Sequence, residues 1–177
     1  MTPESVGPLS RPFGVTRLPE RGAHVTVEAT EEERDALAAD LGLVALRSLV
    51  GRFRIVGKPE RVHVTGRLEA DITQTCVVTL DAFESSLDEE VDVEFRIADE
   101  LPRRREPAVD AEIETDIDAP DEIVDGRIDL GALAAEFLAL GLDPYPKKPG
   151  AEFAPVDGQD DANSPFAVLA RRMDGGE

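Results

Sequence analysis

"VHVTGRLEADITQTCVVTL", residues 62–80, is the longest pattern in this 177-residue chain. Its even positions read Val62, Val64, Gly66, Leu68, Ala70, Ile72, Gln74, Cys76, Val78 and Leu80. Its odd positions read His63, Thr65, Arg67, Glu69, Asp71, Thr73, Thr75, Val77 and Thr79. A period of two with one apolar side marks a strand that buries one face. At about 3.3 Å per residue the run would reach roughly 60 Å, well beyond a typical strand. No strong turn dipeptide interrupts it, so the pattern predicts a strongly bent strand, with a bulge or kink at Gly66 or near Gln74. Bent strands belong to curved sheets, and barrel closure is one outcome of such a bend.

The flanks agree with a sheet packed by helices. "HVTVEAT" (24–30) alternates with Val25, Val27 and Ala29 on one side. Thr30 with Glu33 three residues on forms a capping-box signature, and acids crowd the start of the helix that follows to about residue 41. Ala36, Leu37 and Leu41 are its expected buried stripe, and Gly42 its stop. "LRSLVGRFRIVG" (46–57) reads as a strand with Leu49, Gly51, Phe53 and Ile55 on one face and Arg52 and Arg54 on the other. "VDVEFRI" (91–97) alternates again, and "DAFESSLDEE" before it predicts a hairpin. Residues 98–127 are acidic and Pro-containing, with Arg103, Arg104 and Arg105 as a basic knot, and read as a long mobile loop. In "IDLGALAAEFLALGL" (128–142), Asp129 is the expected N-cap, and Leu130, Leu133, Ala134, Phe137 and Leu140 recur at helical spacing. The expected fold is α+β: one domain with a curved, mostly antiparallel sheet, barrel-like if it closes, packed by two amphipathic helices. Residues 1–9 are read as a flexible N-terminus, 10–153 as the domain with a mobile acidic loop at 99–125, and 154–177 as a mostly disordered tail with a short helix near 165–172.

Composition limits the function classes. Hydrophobic residues are 41% of the chain, enough for a core, and with no Trp and one Tyr that core is aliphatic. The single Cys rules out an internal disulfide and a Cys-based zinc cage within the chain. No long apolar run or basic leader appears, so neither a membrane span nor a signal peptide is expected, and a cytoplasmic location is. The net charge of −19 is uneven: residues 1–80 carry −1 and residues 81–177 carry −18. Such a half repels nucleic-acid phosphates and attracts basic partners, although an acidic surface also serves plain solubility. Against this background Arg47, Arg52, Arg54, Lys58, Arg61 and Arg67 form a basic strip. It is either a solvated outer face or a ridge that contacts RNA or another partner. No aromatic residue suited to base stacking interleaves it. "DAEIETDID" (110–118) lacks the glycine of a calcium loop, and no phosphate loop or nucleophile elbow is present, so neither cofactor nor metal is expected. His24 and His63 are separated and lie on polar strand faces, too few for an acid–base site. Cys76, sharing a strand face with Ile72, Val78 and Leu80, is expected to be buried core, with a redox or ligand role as the alternative.

"TQTCVVTL" (73–80) and "RIDLGALAAEFLALGLDPYPKKPGAEF" (127–153) together resemble the YceD family, bacterial proteins called large ribosomal RNA subunit accumulation proteins, with relatives in plant plastids. "SPFAVLARR" (164–172) resembles the tail of the alphaproteobacterial branch. The residues that carry the resemblance are Thr73, Gln74, Cys76, Asp129, Leu130, Pro144 and Pro146. It implies a non-enzymatic role in the synthesis, processing or stability of large-subunit (23S) ribosomal RNA. The implied partners are a ribosomal protein, a precursor large subunit or the RNA itself, and not DNA. Many relatives pair a second thiol with the one at Cys76; this chain has one, and must do without whatever that pair provides. A cysteine-dependent hydrolase or redox protein using Cys76 is the competing class.

Overall fold

A computed structural model describes residues 7–98 and 120–152. Residues 99–119 of the expected mobile loop at 99–125, the residues before Gly7, and the tail with its helix near 165–172 lie outside the described residues. The elements in chain order are β1 (Pro12–Gly14), β2 (Ala23–Glu28), α1 (Glu31–Asp40), β3 (Ala45–Lys58), β4 (Arg61–Thr75), β5 (Ala82–Arg96), β6 (Asp121–Glu122), β7 (Arg127–Asp129) and α2 (Leu130–Gly141). β2 to β6 form one sheet in sequential order, antiparallel except for the β5–β6 pair, and β1 pairs with β7 in a second small sheet. The fold is α+β. The large sheet is open, with β2 and β6 at its edges, and does not close into a barrel.

The long alternating run divides into a strand and a turn. β4 ends at Thr75, residues 76–79 turn, and β5 begins at Ala82, nine residues before the expected start of that strand. Gly66 is not a bulge. It pairs in register with Phe53 on one side and Val91 on the other, and a Cβ there would stand 2.2 Å from the Arg52 carbonyl oxygen. Gly66 is therefore where the backbones come too close for a side chain. The bulge falls instead between Leu46 and Ser48, with Arg47 as the unmatched residue. Its cause is parity. Leu46 and Leu49 are both buried, three residues apart, and only an extra residue lets both face inward.

Both helices pack on one side of the sheet around a single cluster that includes Phe53, Ile55, Val62, Val64, Leu68 and Val91. α1 starts on the expected capping box: Thr30 Oγ1 accepts from the Glu33 N–H, and Glu33 accepts from the Thr30 N–H. Leu37 and Ala38 are its buried residues, while Ala36 is exposed. In α2 the buried residues are Leu130, Gly131, Leu133, Ala134 and Leu138, a stripe stepping by three and four. Leu140, two positions past Leu138, rotates away from that stripe and is 71% exposed. Two boundaries also shift. Leu9 is fully buried, so ordered packing begins inside the segment read as flexible. Residues 121–127, read as loop, instead supply β6, the buried Ile123 and the start of β7.

Candidate interaction surface

The side of β3, β4 and β5 away from the helices is a lattice of charge. β3 contributes Arg52 and Arg54, β4 contributes Arg61, His63, Arg67, Glu69 and Asp71, and β5 contributes Glu84, Asp88, Glu90, Asp92 and Glu94. Four of the six residues in the basic strip are already paired with carboxylates: Arg47 with Glu84, Arg52 with Glu69, Arg61 with Glu94, and Arg67 with Asp88. His63 Nε2 is hydrogen-bonded to Asp92 on the same face. Arg54 and Lys58 make no ion pair among the described residues. All the pairs but Arg47–Glu84, which reaches from β3 across β4 to β5, follow one rule. Arg52 lies opposite Arg67, and Arg67 opposite Glu90, yet each side chain reaches a carboxylate two residues along the neighbouring strand. Arg61, opposite Arg96, likewise reaches Glu94. Sheet twist favours one diagonal over direct opposition, so like charges face each other in register without meeting. Arg61 foremost, aided by Arg96, holds the Glu94 carboxyl below its ordinary range. Hydrogen bonds from Ser48 and Ser86 do the same for Asp71. Glu84 and Asp88 escaped the sequence reading because it began β5 too late, whereas Glu69, Asp92 and Glu94 lay on strands already placed and their pairing depends on register. Alternating carboxylates from Glu84 to Glu94 were the signal.

Cys76 is buried, as expected, but not on a strand face. It opens the turn after β4 and lies outside the contiguous apolar cluster, while Leu80, its expected face-mate, is 77% exposed with φ 61°. Cys76 Sγ accepts from the Val78 N–H at 3.4 Å and the Lys148 N–H at 3.3 Å. Burial pushes the thiol up, but these donors and the Thr79 hydroxyl and N–H outweigh it and hold it at about 7. The Pro146 carbonyl accepts from the Val77 N–H, so the segment after α2 is laced to this turn. That is the local role of Pro146, half-buried, whereas Pro144 is exposed. Thr73 and Gln74, the strand residues before the turn, are both 8% exposed. Gln74 accepts from Ser85 across the hairpin, and Thr73 Oγ1 has no partner among the described residues.

Asp129 does more than cap α2. One carboxylate oxygen accepts from the Gly131 and Ala132 N–H groups at 2.9 and 3.0 Å and from the Arg11 N–H at 2.7 Å; the other accepts from Ser10 Oγ. Burial raises its pKa, and these four donors outweigh that and lower it. Beside it the fully buried Leu130 anchors the helix in the core. Arg11, which the sequence reading passed over, makes a two-pronged pair with Glu33, at 2.7 Å on each arm, and ties this corner to α1. The Arg11 fork and the Thr30 N–H pull the Glu33 carboxyl down to about 2. Among the described residues no group of three His, Cys, Asp or Glu side chains is placed to hold a metal, and no helix is long and apolar enough to cross a membrane.

The parts this arrangement singles out are an exposed, charge-paired sheet face, a laced turn at Cys76 and a capped helix at Asp129. Comparison with family models then places it: residues 64–171 match Large ribosomal RNA subunit accumulation protein YceD, and the chain belongs to that family. The family is named for the accumulation of large-subunit ribosomal RNA. No curated protein and no solved structure matches the chain. The matched span takes in Arg67, Thr73, Gln74, Cys76, Asp129, Leu130, Pro144 and Pro146, and all of β5, but stops short of Arg47, Arg52, Arg54, Lys58 and Arg61.

Proposed function

We propose that this protein is a non-enzymatic factor that supports the synthesis, processing or stability of 23S ribosomal RNA by binding a basic ribosomal protein or an assembling large-subunit particle in the cytoplasm. Residues 10–153 act as the working unit and residues 154–177 as its appendage. The observation that carries this reading is the paired state of the basic strip. RNA approaching Arg47, Arg52, Arg61 or Arg67 would have to displace a carboxylate from each and would bring phosphates beside the acidic row of β5. A basic protein meets no such opposition, and acidic steering speeds its association at low salt. Within the strip, the cations not already paired among the described residues are Arg54 and Lys58, and any direct RNA contact there is weak and steeply salt-dependent.

The test is affinity capture of the full chain from cells, with and without ribonuclease. Basic ribosomal proteins are expected to remain bound after ribonuclease, and loss of the gene to lower large-subunit RNA relative to small-subunit RNA. Tight binding of purified chain to protein-free 23S RNA at physiological salt, abolished by Arg52→Glu with Arg54→Glu, overturns the protein-partner reading. The enzyme reading has one observation in its favour, a thiol held near 7. Against it, Cys76 is buried and its sulfur is engaged by backbone donors. A reactive thiolate must be reachable, so slow modification of the native chain by an aromatic disulfide is expected.

A further inference from the structure

β5 is an edge strand over most of its length. β6 pairs with it only at Phe95 and Arg96, and among the described residues nothing pairs with its outer edge before that point. Which residues present backbone to that edge follows from two hydrogen bonds. The Ile97 N–H donates inward to the Glu60 carbonyl, and the Arg96 carbonyl accepts outward from the Ile123 N–H. Backbone direction alternates along a strand, so Glu84, Ser86, Asp88, Glu90 and Asp92 turn both N–H and C=O to the free edge. Side-chain direction alternates with the same period. The residues whose backbone is available are therefore those whose side chains stand on the open face, and four of the five are carboxylates.

A cavity of about 320 Å³ adjoins the same edge. Residues of both parities line it, among them Ser85 and Glu89 of the covered side and Asp88 of the open side. Asp143, Lys147 and Gln74 also line it. Three carboxylates against one ammonium leave it net acidic.

We propose that the free edge of β5, from Glu84 to Asp92, takes an extended basic segment of a partner protein as an added strand, with alternate cationic side chains beside Asp88, Glu90 and Asp92 and one placed in the cavity near Glu89 and Asp143. This rests on the reading of the protein as a binder of a basic partner and assigns that partner a site. Main-chain pairing supplies affinity, and the carboxylate row supplies selection. The row excludes a second copy of the same acidic edge and any acidic peptide, which is how edge strands avoid self-association. The Asp88–Arg67 ion pair and the Asp92–His63 hydrogen bond are exposed and re-partner readily, while Glu90 has no ion-pair partner among the described residues.

The test separates strand addition from plain charge attraction. The probe is a fluorescent nine-residue peptide of alternating lysine and threonine, titrated into the full chain at physiological salt. Binding is expected, with amide exchange slowed at Ser86, Asp88, Glu90 and Asp92. Glu90→Gln and Glu90→Pro remove the same charge, but only the proline removes the edge N–H, which no β4 bond uses. Glutamine is expected to weaken binding a few-fold and proline at least ten-fold, and Asp88→Lys with Asp92→Lys to abolish it. If the proline variant fails to fold, a peptide N-methylated at alternate residues carries the same comparison from the partner side. Equal effects of glutamine and proline, protection elsewhere, or no binding overturn the proposal. So does binding that appears only after Arg103, Arg104 and Arg105 are changed to Ser, which would make the chain's own basic knot the occupant. Ribosomal proteins still captured from cells by the Asp88→Lys, Asp92→Lys chain would sink the edge site while leaving the function standing. Capture of none by the unaltered chain would sink the function whatever the peptide does.

Discussion

Phe53, Gly66 and Val91 form one row across β3, β4 and β5; Arg52, Arg67 and Glu90 form the next. In the first row Phe53 is 2% exposed and Val91 1%. In the second all three side chains stand in solvent. One step along the same strands separates a surface governed by shape from one governed by sign. On the covered side the sequence has no freedom, because a glycine must stand where two backbones nearly touch. On the open side two arginines tolerate direct opposition, because each has a carboxylate on the diagonal.

The sharpest way to break this contrast is Phe53→Ala. Removing a buried ring whose neighbours cannot close the gap is expected to cost about 3–5 kcal/mol in urea unfolding. A loss below about 1 kcal/mol would mean that the covered face is plastic. Next in size is Asp129→Ala, which strips α2 of its cap and leaves the Arg11 N–H without its acceptor. About 1–2 kcal/mol is expected, with faster amide exchange at Arg11. Its pH dependence has a definite sign. The carboxyl lies below its ordinary 3.8 in the folded chain, so its stabilisation is fully present above that value and is lost as pH falls through the lowered one. The gap between the two proteins in an acid titration should therefore close from 3.8 downward. The smallest effect belongs to the open face. A double-mutant cycle on Arg52 and Glu69 is expected to give a coupling of about 0.2–1 kcal/mol, shrinking with salt. A coupling above about 2 kcal/mol would show that the lattice holds the sheet together rather than tuning what approaches it.

Much of this architecture could be read in advance because it rests on period and caps. The alternation of β4, the Thr30–Glu33 box and the Asp129 cap are local signals, and local geometry follows them. The Cys76 turn was hidden because nothing in it looks like a turn. Val78 and Leu80 continue the apolar parity, and the left-handed position is filled by Leu80 rather than by glycine. Misplacing that turn hid the first part of β5, and with it Glu84 and Asp88, two of the four acids that pair with the basic strip. The bulge at Arg47 did have a signal, since Leu46 and Leu49 cannot share a face without it. Of the candidate contacts, sequence named the cations but not their partners, because diagonal pairing depends on register, which no single strand reveals.

The pairing of β1 with β7 also has a consequence in time. β3, β4 and β5 are consecutive and joined by short turns, so a chain leaving the ribosome can assemble them as they appear. β1 cannot be fixed in that way. Arg11 must wait for Asp129, 118 positions later. At about 5–20 residues per second, synthesis makes that wait on the order of ten seconds. Through that interval Leu9 and Val15, fully buried in the finished protein, have no β7 or α2 to pack against. β1 is made first among the strands and secured last, and a nascent chain stalled before residue 129 should be open to protease at Arg11 while its meander already resists.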